Sequence, residues 1–181
     1  MSRYVALLRG INVGGKNLIK MTDLRACFEE QGFLDVVTYI QSGNVIFEAE
    51  RAPAAELTRR IETVLGESFG YRASVVLRSH AQLRRIVEQA PKGFGDDPAR
   101  YLYDVLFLKP PLTSTVAMKS VLTREGVDRA YAGTGVLYFA RLASRAAQSR
   151  LNRIASEPIY QSMTIRNWNT TTKLLKLMDG R

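Results

Sequence analysis

Two segments far apart in the chain carry the same hairpin pattern, and this repetition constrains the fold more than any other feature. Residues 39–47 read Tyr-x-x-Ser-Gly-x-Val-Ile-Phe, and residues 131–139 read Tyr-x-x-Thr-Gly-x-Leu-Tyr-Phe. In each segment, β-branched and aromatic residues flank small turn-forming residues, which predicts two strands joined by a tight turn. We therefore expect one structural unit to occur twice.

The segments around the two hairpins follow one order. Each half predicts a strand, a helix, the hairpin, a second helix, a strand and a last helix. In the first half, the strand is predicted at 4–8, the helix from Thr22 to Gly32, the hairpin at 36–47, the second helix from Pro53, the next strand at 71–78 and the last helix from Ser79. Ser79 is predicted to form a capping box with Gln82. In the second half, the strand is predicted at 103–108, the helix at 114–122, the hairpin at 127–140, the second helix at 148–156, the next strand at 162–166 and the last helix at 169–178. The sequence thus predicts an α+β fold of two tandem ferredoxin-like (α/β-plait, β-α-β-β-α-β) subdomains, each with an extra C-terminal helix.

The boundary between these subdomains is predicted in residues 91–98. Prolines, glycines and acidic residues cluster there without periodicity, as is typical of a linker. The predicted subdomains are residues 1–95 and 96–181.

A glycine-rich basic loop, Arg-Gly-Ile-Asn-Val-Gly-Gly-Lys-Asn at residues 9–17, follows the first predicted strand. In the predicted topology this loop, the start of the first helix near Thr22 and the turn at 41–44 meet at one end of the sheet. Cations, amide side chains and a helix N-terminus in one place suit an anion. Arg166 and Asn167 join the candidates because no capping role accounts for them. The predicted ligand-binding residues are Arg9, Asn12, Gly14, Gly15, Lys16, Asn17, Gln41, Ser42, Asn44, Arg166 and Asn167.

Three segments carry a resemblance to a known family: residues 9–17, residues 39–47 and Arg-Asn-Trp-Asn-Thr at 166–170. They resemble the signature segments of the bacterial family called domain of unknown function 1697. The resemblance covers nearly the full chain. It implies a two-part α/β plait and brings no established activity, cofactor or catalytic residue.

Within the loop, Gly10-x-x-x-x-Gly15-Lys16 has the spacing of a Walker A phosphate loop. Asn17 stands where that motif requires a Ser or Thr hydroxyl for magnesium, and the helix begins several residues too late. The pattern therefore argues against nucleotide hydrolysis. Two interpretations remain: the loop binds a phosphate or polyanion, or its glycines serve turn geometry alone.

Similar alternatives apply to the other signature segments. Ser42, Gly43 and Asn44 are residues that a hairpin turn requires, so a structural role competes with a binding role. Asn169 is the predicted N-cap of the last helix, and Trp168 is expected to pack beneath that helix rather than to stack on a base.

The formal net charge is +9 and is concentrated near the C-terminus, where residues 141–181 hold eight Lys and Arg against two acidic residues, a net +6. Such an excess favours a polyanionic partner, nucleic acid or a phosphorylated small molecule. A solvated basic surface is the alternative.

Several chemistries are not expected. The only histidine is His80, so neither a His-based triad nor a two-histidine metal site can form within one chain. Cys27 is expected to be a small buried hydrophobe. We predict no metal site, no cofactor and no membrane span, and a cytoplasmic location with a reduced cysteine.

Two hypotheses of different classes follow. The first is a binding protein for nucleic acid or an anionic ligand, using the 9–17 loop, the 41–44 turn and basic residues such as Arg150, Arg153 and Arg166. The second is a small-molecule enzyme that works without His, Cys or metal chemistry. A weaker third hypothesis is an assembly protein that forms a dimer through exposed strand edges. The sequence alone does not determine the oligomeric state.

Overall fold

The chain is a mixed α+β protein with two four-stranded antiparallel sheets. The computed structural model describes residues 1–180. Arg181, the last of the predicted C-terminal cations, lies outside the described residues. Two compact units are present: the first comprises Met1–Leu83 together with residues 174–180, and the second comprises Arg84–Lys173.

The first unit carries a sheet of strand order β2-β3-β1-β4. Its helices lie in the connections from β1 to β2 and from β3 to β4, and a further helix, α3, follows β4. The elements are β1 (Ser2–Leu8), α1 (Met21–Glu30), β2 (Leu34–Tyr39), β3 (Asn44–Ala49), α2 (Ala54–Phe69), β4 (Val75–Ser79) and α3 (His80–Glu88). The residues of α3 from Arg84 on belong to the second unit.

The core of the first unit lies between one face of the sheet and the two helices. Alternate residues of β1, including Ala6 and Leu8, face this core, as expected when side chains alternate along a strand. Phe28 of α1 meets Phe47 of β3 edge-on, with ring centroids 5.4 Å apart. The apolar faces of α1 and α2 are buried as their helical spacing predicts.

The second unit has a sheet of strand order β6-β7-β5-β8. Three short 3₁₀ segments, Ala143–Gln148, Arg150–Ser156 and Pro158–Ser162, connect β7 to β8. The other elements are β5 (Tyr101–Leu108), α4 (Ser114–Ser120), β6 (Asp128–Gly133), β7 (Val136–Leu142), β8 (Met163–Asn167) and α5 (Trp168–Met178). The residues of α5 from Leu174 on belong to the first unit.

The helix predicted at 148–156 is therefore 3₁₀ rather than α. Polar side chains there bond to nearby backbone: Ser149 Oγ accepts from Leu151 N at 3.2 Å, and Asn152 Nδ2 donates to Ala146 O at 2.9 Å. Such local bonds compete with the regular ladder of an α-helix. Leu151 and Ile154 are nevertheless buried, so the segment still covers the core of its sheet.

Both predicted hairpins are confirmed, as β2–β3 and β6–β7. The predicted capping box is also present, since Gln82 Oε1 accepts from Ser79 N at 2.8 Å and Ser79 Oγ accepts from Gln82 N at 3.3 Å. The predicted cap at Thr22 is wrong. Helix α1 begins at Met21, and Lys20 occupies the N-cap position without a side-chain bond.

Within residues 1–180, no helix combines the length and the apolar character that a membrane crossing demands.

Candidate functional site

The glycine-rich loop folds into a miniature hairpin. Lys16 N donates to Val13 O at 3.0 Å, and Asn12 N donates to Asn17 O at 3.1 Å. Between the paired residues, Gly14 and Gly15 have φ of 58° and 74°, as the tight two-residue turns of hairpins require. In a Walker A loop the backbone amides point at phosphates, whereas here the amides of Asn12 and Lys16 pair with carbonyl groups. The Walker-like spacing is therefore a hairpin turn.

Asn12 fixes the base of this hairpin. Its Oδ1 accepts from Ile19 N at 2.8 Å, and its Nδ2 donates to Ile19 O at 3.1 Å and to Gln41 O at 2.8 Å. Asn17 Nδ2 donates to Gly10 O at 2.9 Å. These two predicted ligand-binding amides thus hold the loop in shape, and the Asn12–Gln41 bond confirms that the loop and the 41–44 turn lie together.

The turn between β2 and β3 is fixed in the same way. Leu8 N donates to Gly43 O at 2.8 Å, which joins the end of β1 to the turn. Asn44 is fully buried and its Nδ2 donates to Tyr39 O at 2.9 Å and to Ser42 Oγ at 3.2 Å. Ile40 has a φ of 50°, which is rare and strained for a β-branched residue. The turn is held by several contacts that offset this strain.

Cations and apolar side chains are exposed around the miniature hairpin. Lys16 and Lys20 are exposed, and neither pairs with a carboxylate in the part of the chain that the structure describes. Arg9 is half-buried, and its backbone N donates to Ser74 O at 3.0 Å. The most exposed apolar residues here are Val13 at 64% and Leu18 at 75%. We call these five residues the loop surface.

Arg166 and Asn167, the remaining predicted ligand-binding residues, lie in the second unit at the end of β8. Arg166 is buried, and its Nη1 donates to Thr164 Oγ1 at 2.8 Å and to Ile165 O at 3.0 Å. Burial lowers the pKa of Arg166 to about 10. Asn167 Oδ1 accepts from Thr170 N at 2.8 Å and so caps α5. The prediction that Asn169 caps this helix is wrong, and the cap accounts for Asn167.

Sequence reasoning missed a second buried arginine, Arg78 in β4. Its Nη1 donates to Leu77 O at 2.9 Å, and burial lowers its pKa to about 10. Arg78 is the fourth residue of the last strand of its sheet, as Arg166 is of β8, and each arginine directly precedes a helix-capping residue. Aligning Val-Val-Leu-Arg-Ser at 75–79 with Met-Thr-Ile-Arg-Asn at 163–167 would have found it.

Residues 1–138 match the family described as protein of unknown function (DUF1697). The chain belongs to the DUF1697 family. The match confirms the family resemblance and includes the signature segments at 9–17 and 39–47, whereas the segment at 166–170 lies outside the matched residues. The DUF1697 chain is also similar to the solved structure of conserved bacterial protein SP0830 from Streptococcus pneumoniae, with a TM-score of 0.85, 28% sequence identity and 97% of each chain covered. No functionally curated protein sequence matches it.

The reactive side chains of the DUF1697 protein are engaged or buried. Cys27 is buried on α1, its Sγ lies 3.6 Å from Ser68 Oγ, and burial raises the pKa of its thiol. His80 Nε2 lies 2.6 Å from Asp179 Oδ1. Within residues 1–180, no three His, Cys, Asp or Glu side chains come together as metal ligands would.

Proposed function

We propose that the protein binds nucleic acid and that the loop surface contacts its phosphates. The observation that carries the proposal is a pair of exposed cations, Lys16 next to the two-residue turn of the miniature hairpin and Lys20 just before α1, neither of which pairs with a carboxylate among residues 1–180. Exposed cations without acidic partners keep their full attraction for phosphate, and they release counterions from a polyanion when they bind.

The shape of the loop surface favours an extended ligand. Gly14 and Gly15 have open space around them, since a Cβ atom at either position would meet no heavy atom within 4 Å. The hairpin therefore presents Lys16 on a convex tip instead of enclosing it, and Lys20 is exposed four residues further along the chain. A convex basic tip fits the backbone of a polynucleotide better than it fits a small anion, which proteins usually surround. The formal net charge of +9 supports the same partner.

We also infer that each unit has the ferredoxin-like arrangement. The strand orders β2-β3-β1-β4 and β6-β7-β5-β8 support this, because in both sheets the first strand lies between the third and the fourth. In such a unit the end of the first strand and the turn between the second and third strands share one end of the sheet. In that arrangement the 41–44 turn lies beside the 9–17 loop, and Asn12 Nδ2 donates to Gln41 O at 2.8 Å.

Salt-dependent binding tests the proposed function. Fluorescence anisotropy of a labelled single strand and of a matching duplex, measured over a range of salt concentrations, gives the affinity and its salt slope. We expect Lys16→Ala/Lys20→Ala to weaken binding and to reduce the slope of log K against log salt by roughly 0.7–0.9 for each cation removed.

The matched control is Arg59→Ala/Lys119→Ala, which removes the same charge from exposed positions of α2 and α4. We expect this control to keep most of the affinity. The proposal fails if the protein binds neither the single strand nor the duplex at low ionic strength. It also fails if the two double variants weaken binding equally.

A further inference from the structure

A tyrosine-lined groove runs across one face of the second sheet. Tyr101 and Tyr103 lie on β5, and Arg129 and Tyr131 lie on β6. Between them, Ala140 of β7 is directly opposite both Tyr103 and Arg129 in the strand register. Because an alanine separates two large side chains, it leaves a depression whose floor is its methyl group. The opposite face of the same strands, which includes Leu106 and Phe139, is buried in the hydrophobic core of the unit.

One wall of the groove is the segment that follows α3. Pro91, Lys92, Gly93 and Phe94 line the groove together with the sheet residues. Phe94 is buried and fixes this wall, since its ring meets those of Tyr103, Tyr138 and Trp168 edge-on at centroid distances of 4.9, 5.4 and 5.1 Å. The wall is therefore positioned before any ligand arrives.

Cations surround the groove. The guanidinium carbons of Arg100 and Arg129 lie 5.4 and 5.5 Å from the ring centroid of Tyr101, and Lys92 is exposed on the wall. None of the three pairs with a carboxylate among residues 1–180. Asp96 and Asp97 follow the wall in sequence but do not line the groove. The electrostatic preference is therefore for a negatively charged ligand.

We propose that this groove binds a nucleobase together with its phosphate, as a free nucleotide or as one unit of a single strand. The base stacks on the tyrosine rings, and the phosphate lies near Lys92 and Arg129. Aromatic rings accept the flat face of any base, so the groove needs only to offer a stacking surface and does not have to enclose the base and its sugar. The site shares no residue with the loop surface and goes beyond the function proposed for it.

Other aromatic-seeking ligands fit less well. A methylated ammonium group binds aromatic rings through its positive charge, and the three cations around this groove would repel it. A phosphotyrosine carries its phosphate at the far end of its own ring and needs cations at the bottom of a socket. Here the floor is Ala140, and the lining cations Lys92 and Arg129 are exposed at the rim.

Titration calorimetry on the full chain tests the site with two matched pairs of probes. The pairs are adenosine monophosphate against ribose 5-phosphate, and a short single-stranded oligonucleotide against its abasic counterpart. Trp168, the only tryptophan, contacts Phe94 and gives a fluorescence signal near the groove. We expect the base-containing member of a pair to bind about tenfold more tightly or better. Binding of the mononucleotide identifies a free nucleotide as sufficient, and binding of the oligonucleotide alone identifies a single strand.

Variants separate stacking from charge. Tyr131 is 39% exposed, so its replacement leaves the core intact. We expect Tyr131→Leu to weaken the base-containing probes about tenfold and Tyr131→Phe to restore binding, whereas Arg129→Ala weakens probes with and without a base. Leu102→Ala is the matched control, because Leu102 is a similarly exposed residue of β5, between Tyr101 and Tyr103, whose side chain lies on the opposite face of the sheet. This variant should bind like the wild type.

The proposal is overturned if the probes without a base bind as tightly as those with one, if a phosphotyrosine peptide binds more tightly than all of them, or if none binds at low ionic strength. The Lys16→Ala/Lys20→Ala variant distinguishes the two proposals. We expect it to bind the mononucleotide normally, so failure of the loop surface leaves this result unchanged.

Discussion

Gly43 lies so close to Ile11 that a Cβ atom on the glycine would stand 2.5 Å from Ile11 Cδ1 and 3.0 Å from Leu8 Cβ. Ile11 is the buried residue of the glycine-rich loop, and Gly43 belongs to the β2–β3 turn. The loop and the turn therefore pack together directly, in addition to the hydrogen bond from Asn12 to Gln41 O. Glycine is required here by space as well as by its φ of 88°.

Replacing Gly43 should destabilise the first unit. We expect Gly43→Ala to lower the free energy of unfolding by about 2–4 kcal/mol, because it adds a steric clash to an unfavourable φ. Urea unfolding followed by circular dichroism measures this loss. Gly10→Ala is the control: its φ is 72° but its surroundings are open, so only the backbone strain of about 1 kcal/mol is expected. Equal losses in the two variants would contradict the contact.

A second prediction concerns the cap of α5. We expect Asn167→Ala to lower the free energy of unfolding by about 1 kcal/mol, because Thr170 N loses its acceptor. The matched control, Asn169→Ala, changes a neighbouring exposed asparagine without removing that bond and should be close to neutral. Thermal unfolding of the two variants decides between the caps. If Asn169→Ala were the more destabilising variant, Asn169 would be the N-cap of α5, as predicted from the sequence, and the structural assignment of the cap to Asn167 would be contradicted.

These asparagines illustrate how far the sequence reaches. The strands and hairpins were predictable because alternation and turn residues are local signals, and both Asn167 and Asn169 match the local pattern of a cap. Which of them accepts the bond depends on where the strand ends. The structural roles of Asn12 and Asn17 could not be predicted either, because an asparagine side chain can bond equally well to a ligand or to the backbone of its own loop.

The buried residues with unusual neighbours were the least predictable. Residues 91–98 show no periodicity, yet Phe94 is buried among three aromatic rings that lie up to 74 positions further along the chain. Arg78 and Arg166 are charged residues, which are almost never fully buried unless paired. The tyrosine-lined groove could not be predicted because it depends on the register of β5, β6 and β7, which local sequence patterns do not determine.

Gly95 provides a third prediction. A Cβ atom there would stand 2.3 Å from Trp168 Nε1, so Gly95→Ala should displace the indole ring. We expect the tryptophan emission to shift to longer wavelength and the free energy of unfolding to fall by about 2 kcal/mol or more. Gly93→Ala is the control, because its φ of 82° is similar and its nearest neighbour is 4.0 Å away. An unshifted emission in Gly95→Ala would contradict the contact.

A fourth prediction concerns Asp104 on β5. Its Oδ2 lies 3.7 Å from Arg141 Nε, and neither atom has a hydrogen-bond partner among residues 1–180. Burial raises the pKa of Asp104 above its ordinary value of 3.8, although Arg141 opposes the shift. The folded state therefore holds this proton more tightly than the unfolded state, so stability falls as pH rises from 3.8 through the folded pKa.

Urea unfolding of the wild type and of Asp104→Asn over a series of pH values measures this effect. The asparagine cannot ionise, so we expect the variant to gain stability relative to the wild type as pH rises through that window and to hold the difference above it. Asp96→Asn is the control for the loss of one carboxylate from an exposed position. If the stability gain of Asp104→Asn over the wild type grew towards acid pH instead, the folded-state pKa of Asp104 would be lowered rather than raised.

Cys27 has a practical consequence for following these surfaces in solution. Because the only cysteine is buried and its thiol has a raised pKa, it should react slowly with thiol reagents. A cysteine introduced at an exposed position such as Leu18 would then take up a spectroscopic probe alone. The native chain is therefore already suited to single-site labelling, and a probe on the loop surface can report contact with a partner without first removing a native thiol.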